Sequence, residues 1–531
     1  MDTDWRIPAD LFQHRCEKIL FWATIGLAEF HMFACSFREV LPGYSKPFFR
    51  YERWIGAAIL AALVIYLFVS AVRYPGTFKR IKPLFRKLCS LEQAYMLWVF
   101  VWYVVVLAVW QLVKGREINL FRENDWWLFE QVLMSFVFFP LPRILGSERA
   151  KRLIEPMIKL VLIPHMVLWT WILWQYYHMN YITFPSGGML QGGKWGISMS
   201  FGYNRNITGA GALIMMALCI YMIATQKKMH KLPYIFGTVI YLAILVLTNC
   251  RTSWYCALLI SISSCFCAVW FGLRGSHLLL RAATGILLAV VSVLFLCWFR
   301  GELFILLDAS FTRIREAASE ASQTDFRMFR QPGSLEVMSV HFSSDEENQF
   351  HDSVLLPLSS EEGTAAEFAR TVEDDSGTLT GRVPLYRATL DVMFSRKLIF
   401  LFGVPSTDFG AAVYGRYGID TYYPHAHNFL LTMGVFYGVP TMIFTAVFLV
   451  SVFVRCFRVL FVNKKQMFQG FWMIPVILAA LAAEDMMESF LNLSAWSMTC
   501  ITFYLFAGWI VAMDKEQRET KLKVESSKTG D

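Results

Sequence analysis

Twelve apolar segments, each close to the length a helix needs to cross a bilayer, constrain this chain more than any other feature. A hydrocarbon core about 30 Å thick takes roughly 20 consecutive apolar residues per helix, with every backbone polar group satisfied inside the segment. The segments lie near 18–37, 54–72, 93–113, 126–142, 156–178, 206–225, 233–249, 252–272, 278–298, 427–454, 469–490 and 493–513. With 56% hydrophobic and only 17% charged residues over 531 positions, the chain has too little polar surface for a soluble globule of this size. The expected fold is therefore an all-α polytopic membrane protein of about 12 transmembrane helices.

Lys and Arg in the connectors set the orientation. If the N-terminus is cytoplasmic, every even-numbered span exit is basic: Arg73 to Lys87, Arg143 to Arg152, Lys227 to Lys231, Arg274 with Arg281, and Arg455 to Lys465. Both termini then lie in the cytoplasm. The first outer connector departs from this pattern, since Arg38, Lys46, Arg50 and Arg53 face only Glu39 and Glu52. About fifteen polar residues precede the first span, unlike the short basic start of a cleaved signal peptide, so that span is expected to be an uncleaved helix.

The net charge of +8 conceals an asymmetry: residues 299–426 hold 11 Lys/Arg and 19 Asp/Glu, which leaves +16 for the rest of the chain. The positive surplus belongs to cytoplasmic connectors and suits anionic membrane lipid, not nucleic acid. The cysteines fall almost wholly in the apolar segments and none lies in the large outer loop, so no disulfide framework is expected. Four regions follow: a membrane domain of spans one to nine over 1–299, an extracytoplasmic loop between spans nine and ten over 300–426, spans ten to twelve over 427–513, and a cytoplasmic tail over 514–531. Within the loop, 316–380 is rich in Ser, Glu, Asp and Thr and is expected to be largely mobile. Apolar positions three and four apart predict an amphipathic helix near 384–400, with Pro384 in its first turn and Arg382 just ahead of it. The Gly-rich stretch 179–205 fits either a flexible connector or a place where backbone approaches a ligand closely.

Chemistry concentrates at the outer ends of the spans. His425-Ala426-His427-Asn428 opens the tenth span, where the partial positive charge of a helix N-terminus opposes protonation of an adjacent imidazole and leaves it able to accept a proton. The same residues also fit plain helix capping, and a His-x-His metal pair lacks a third ligand at a convincing spacing. Arg251, in the short turn Thr248 to Trp254, must sit at the membrane boundary. There its planar fork matches a pair of phosphate oxygens or snorkels to headgroups. Arg382 and Arg205 stand just ahead of helical segments, where a cation and free N–H groups favour an anion, and where an exposed arginine is also ordinarily solvated. Glu484, Asp485 and Glu488 share one face near the outer end of span eleven and fit either partners for the outer arginines or markers of the water interface.

Taken in order, Asn204-Arg205-Asn206, Arg251-Thr252-Ser253-Trp254, Thr380-Gly381-Arg382, Leu401-Phe402-Gly403-Val404 and His425-Ala426-His427-Asn428-Phe429-Leu430, with Gly434 and Gly438 after it, resemble the O-antigen ligase and polymerase superfamily of bacterial membrane glycosyltransferases. The resemblance covers roughly residues 200–440. It implies a GT-C-like helical enzyme of the bacterial inner membrane that moves a glycan from an undecaprenyl-diphosphate carrier to an acceptor hydroxyl on a glycan or lipid, at the outer face. No metal, nucleotide sugar or other cofactor takes part in that chemistry. By the same resemblance His427, Arg251 and Arg382 are the catalytic residues, and Arg205, His425 and Asn428 bind substrate. The rival expectation is a lipid-linked glycan flippase or another twelve-span transporter. Such a carrier would place its charges near the bilayer midplane, and its halves would mirror each other, which these do not.

Overall fold

The structure, a computed structural model, describes residues 65, 90–115, 138–139, 142–143, 147–177, 189–193, 196–200, 205–227, 230–248, 250–273, 277–321, 379–405, 408–413, 425–462, 470–487 and 498–528. The expected spans 18–37, 54–72 and 126–142 fall wholly or largely outside these residues, as do Glu488 and most of the acidic stretch 316–380.

The described elements, in chain order, are α1 (Leu91–Val113), α2 (Ser147–Tyr177), the strands β1 (Met189–Gly193) and β2 (Gly196–Ser200), and α3 (Arg205–Thr225). They continue with α4 (Leu232–Leu247), α5 (Arg251–Gly272), α6 (Leu278–Ala321), α7 (Leu379–Ser395), α8 (Lys397–Phe402) and α9 (Phe409–Val413). The last are α10 (Phe429–Tyr437), α11 (Val439–Val462), α12 (Met473–Asp485) and α13 (Met498–Lys528). Among the described residues five helices are long and apolar enough to cross a membrane: Ala94–Val113, Thr208–Thr225, Arg251–Gly272, Leu278–Leu303 and Val439–Phe461. The all-α expectation gains one small addition within the Gly-rich stretch, where β1 and β2 form a two-stranded antiparallel hairpin pairing Met189 with Ser200.

Several boundaries move. The ninth span, expected to end at 298, continues as one helix to Ala321, so the expected loop boundary at 300 lies inside α6. Hydropathy falls there, but residues 302–331 contain no Gly or Pro to stop a helix. The helix expected over 384–400 starts earlier and is split: α7 begins at Leu379, Arg396 is extended at φ −142 and ψ 148, and α8 follows. Pro384 therefore stands in the second turn, and Arg382 lies within the helix instead of ahead of it. The expected tenth span is also two helices, α10 and α11, separated by Gly438 at φ +89. The residues expected as a cytoplasmic tail extend α13 without a break to Lys528.

Inside the bundle α3 is the central helix, with 72% of its apolar window buried against 17% for that of α6. On α6, Leu280, Leu287, Val291 and Leu294 stay exposed, an apolar surface for lipid to solvate. Two polar groupings in the interior show the pairing that a low-dielectric medium favours. Between α2 and α4, the Trp169 indole donates to His165 Nε2 at 2.9 Å and His165 Nδ1 meets Tyr241 Oη at 3.2 Å. At one end of the bundle Arg455 joins α1, α11 and α13: its Nε and Nη2 bond Glu92, the latter at 3.1 Å, and its Nη1 bonds Asp514 at 2.8 Å.

The opposite end of the bundle carries the residues of chemical interest, and α1 braces it. Its Trp98 and Trp102 stack at 4.7 Å, and Trp102 stacks on Phe402 of α8 at 5.5 Å. The Trp102 indole also donates to the Tyr437 carbonyl at 2.8 Å, at the break between α10 and α11. Beyond the helix end, Lys114 and Asp408 form an ion pair at 2.7 Å.

Candidate functional site

The break at Gly438 is what lets α8 approach α10. Val404 N–H donates to the Val435 carbonyl at 2.6 Å, so the chain leaving α8 lies directly on α10 backbone. A β-carbon on Gly438 would come 2.0 Å from the Leu401 carbonyl oxygen, and one on Gly403, at φ +71, would come 2.4 Å from Phe436 backbone. Only glycine satisfies both the left-handed backbone and the close approach. The Leu401 to Val404 motif and Gly438 thus form a single contact that fixes where α10 ends, and Asn428 marks where it starts.

At that start Asn428 is the N-cap of α10: its Oδ1 accepts the Leu431 N–H at 3.0 Å. Its Nδ2 donates to the Met486 carbonyl at 2.8 Å, tying the cap to the end of α12. His427, one residue earlier, has φ +50, a left-handed conformation unusual for a residue with a β-carbon. Its N–H donates to His425 Nδ1 at 3.1 Å, and its carbonyl accepts the Tyr386 hydroxyl of α7 at 2.9 Å. The two imidazoles face each other with ring centroids 4.3 Å apart. Burial, then the neighbouring His427, then Arg382 hold the His425 imidazole well below its ordinary range, so it stays neutral with Nδ1 as an acceptor. Arg382, one turn before Tyr386 on α7, is buried and lies within electrostatic reach of this pair.

A second group of residues meets the same turn from the other side. Ser253, two residues into α5 from Arg251, donates its hydroxyl to Glu484 Oε1 at 2.6 Å, and Glu484 and Asp485 are both fully buried. The end of α12 therefore holds both sides together: Glu484 holds the start of α5, and the Met486 carbonyl holds Asn428 and, at 3.4 Å, Tyr386. Arg251 is half-buried at the first position of α5. Arg205 opens α3 one turn before Gly209, whose backbone packs against Cys250 and Ser253; its side chain lies outside the described positions.

The structure thus brings His425, His427, Asn428 and Arg382 together directly, and it joins Arg251 to them through Ser253 and α12. Tyr386 and Met486 were not singled out from the sequence, and Ser253 stood there only as part of the Arg251 to Trp254 motif, with no role of its own. Tyr386 carried a signal in its spacing, four residues after Arg382 on the same helical face. The Met486 contact uses a carbonyl, which every residue has.

Residues 236–446 match the family model described as O-antigen ligase. That match, 211 of the 531 residues, supports the resemblance to the O-antigen ligase and polymerase family. Among curated proteins no match to the chain is found. The O-antigen ligase family match includes Arg251, Arg382, His425, His427 and Asn428, whereas Arg205, Glu484, Asp485 and Met486 lie outside it. The match points to glycosyl transfer involving membrane-linked glycans, and together with the apolar helices it points to an integral membrane protein.

Proposed function

We propose that this protein transfers a glycan from an undecaprenyl-diphosphate carrier to an acceptor hydroxyl on a glycan or lipid, at the extracytoplasmic face of the bacterial inner membrane. The observation that carries this reading is the constrained His427. Its backbone is held by His425, Tyr386 and the Asn428 cap, with a buried Arg382 alongside. In this reaction the acceptor oxygen attacks the anomeric carbon as the bond from that carbon to the diphosphate oxygen breaks. The electron pair leaves with the diphosphate, and the acceptor proton passes to His427. Attack from the face opposite the leaving group inverts the anomeric centre. No metal enters this scheme, because Arg251 and Arg382 supply the cations facing the charge that grows on the leaving group.

Arg205 and His425 are assigned to donor binding, and His425, as a neutral imidazole, keeps the His427 backbone fixed. Asn428, assigned to substrate binding, also holds His427 in place through its bonds to Leu431 and Met486. The buried pair Ser253 and Glu484 fixes Arg251 relative to that histidine.

A labelled lipid-linked glycan offered to the purified protein in detergent, with an acceptor, tests the reading. A glycosyltransferase yields a new glycosidic linkage and free undecaprenyl diphosphate. A transporter has no membrane to act across and leaves the labelled compound unchanged, and that result would overturn the proposal.

A further inference from the structure

The break between α7 and α8 leaves an open groove of about 280 Å³ lined by Phe394, Arg396, Lys397, Phe400 and Leu401. The extended backbone at Arg396 makes the break, ending α7 and turning the chain into α8. The Phe394 and Phe400 rings lie 5.7 Å apart between centroids. Phe394 and Leu401 are exposed, as are Val383 and Leu390 farther up α7. Contiguous apolar side chains left open in this way need an apolar covering.

The neighbours of this elbow say what covers it. Phe402 of α8 stacks on Trp102, inside the apolar window of α1, and the Leu401 carbonyl packs on Gly438, one residue before the apolar window of α11. Both windows keep aliphatic side chains exposed, Leu97 and Val101 on α1 and Ile443 and Val447 on α11. The groove therefore stands beside two spans that lipid chains solvate. Charge then selects among lipids. From residue 387 to 397 the exposed charges are three cations, Arg387, Arg396 and Lys397, and one carboxylate, Asp391. Among the described residues Lys397 has no ion-pair partner. A lysine whose stem lines an apolar groove holds its ammonium at the rim, where the phosphate of a lipid lying in the groove would meet it.

We propose that the elbow between α7 and α8 binds an acidic glycerophospholipid of the surrounding bilayer, with a chain against Phe394, Phe400 and Leu401 and the phosphate on Lys397. This goes beyond the donor and acceptor readings and rests on neither.

Purified full-length protein in detergent is titrated with radiolabelled dioleoyl phosphatidylglycerol. Dioleoyl phosphatidylcholine, glycerol phosphate and undecaprenyl diphosphate serve as competitors. The expected result is one saturable site that prefers phosphatidylglycerol to phosphatidylcholine by about fivefold or more, the scale of one basic side chain acting on acidic lipid. Lys397→Gln should remove most of that preference and leave phosphatidylcholine binding unchanged, whereas Lys397→Arg should keep it. Phe394→Ser removes apolar lining and should weaken both lipids alike. Both positions are exposed, so these variants should melt at the wild-type midpoint. An undiminished preference in folded Lys397→Gln protein would overturn the proposal. So would glycerol phosphate competing as well as the whole lipid, which marks a simple anion site. Undecaprenyl diphosphate displacing phosphatidylglycerol at equal or lower concentration would give the groove to the donor and also overturn it.

Discussion

At the residue scale, a left-handed backbone at His427 costs about 1–3 kcal/mol, and a site keeps such a conformation only when its surroundings impose it. Here the imposing groups are His425 Nδ1, the Tyr386 hydroxyl and the cap at Asn428. Tyr386→Phe removes one of these, with a loss of about 1 kcal/mol in stability. Freedom at the reacting histidine matters more for rate, and kcat should fall about tenfold to a hundredfold with KM little altered. Steady-state kinetics beside a thermal melt separates the two effects. His425 makes a prediction of its own. Its imidazole is depressed below the ordinary 6.5 in the folded protein, so on acidification through that value the unfolded chain takes up the proton first. The contribution of His425 to stability therefore declines as pH falls below 6.5 and is constant above it. Nitrogen-15 spectra of histidine-labelled protein should show a residue that stays neutral at pH 6, with Nδ1 unprotonated. An ordinary titration at that residue would contradict the hydrogen bond to His427.

At the scale of elements, the site depends on two breaks that bring α8 onto α10. Gly438→Ala places a methyl 2.0 Å from the Leu401 carbonyl oxygen at a backbone φ of +89, whereas Gly211→Ala in α3 meets nothing within 4 Å. The first variant should lose several kcal/mol and most activity; the second should be neutral or slightly stabilising, since alanine is the better helix former by up to about 1 kcal/mol. Paired thermal melts in detergent check this directly. The same contact shows where sequence reading succeeds and where it stops. His425 to Asn428 is legible because a cap followed by an apolar run announces a helix start. The division of the tenth span at Gly438 is not, because hydropathy averages across a lone glycine and the reason for the break is a carbonyl some 40 residues earlier. Glu484 shows the same limit. Its place on one face of span eleven can be read from spacing, but its partner Ser253 is 231 residues away. The extension of α6 to Ala321 escaped for a different reason, namely that a window tuned to lipid reports where a span ends and not where its helix ends.

At the scale of the whole molecule, the two ends of the bundle are held by different means. The end away from the site is closed by Arg455 among Glu92, Asp514 and the Ser451 hydroxyl, with Glu92 fully buried. Removing the cation leaves the buried Glu92 carboxylate without it, while Asp514 keeps Arg518 at 3.0 Å and Arg458 at 3.8 Å, and Arg455→Ala should destabilise the protein by about 3–5 kcal/mol. Arg455→Lys, which keeps a charge without the fork, should recover part of this in the same melt. At the site end, hydrogen bonds of the Met486 carbonyl and the Glu484 carboxylate gather Asn428, Tyr386 and Ser253 around the turn after α12.

The central claim is that His427 takes the acceptor proton in a transfer from a lipid-linked donor. Its most direct test compares wild-type protein with His427→Ala and His427→Gln, each assayed in detergent for new glycosidic linkage. Each also has its thermal midpoint and elution profile recorded. The account predicts that both variants stay folded and monodisperse while product formation drops to background. Product formation at the wild-type rate in folded His427→Ala protein would contradict it.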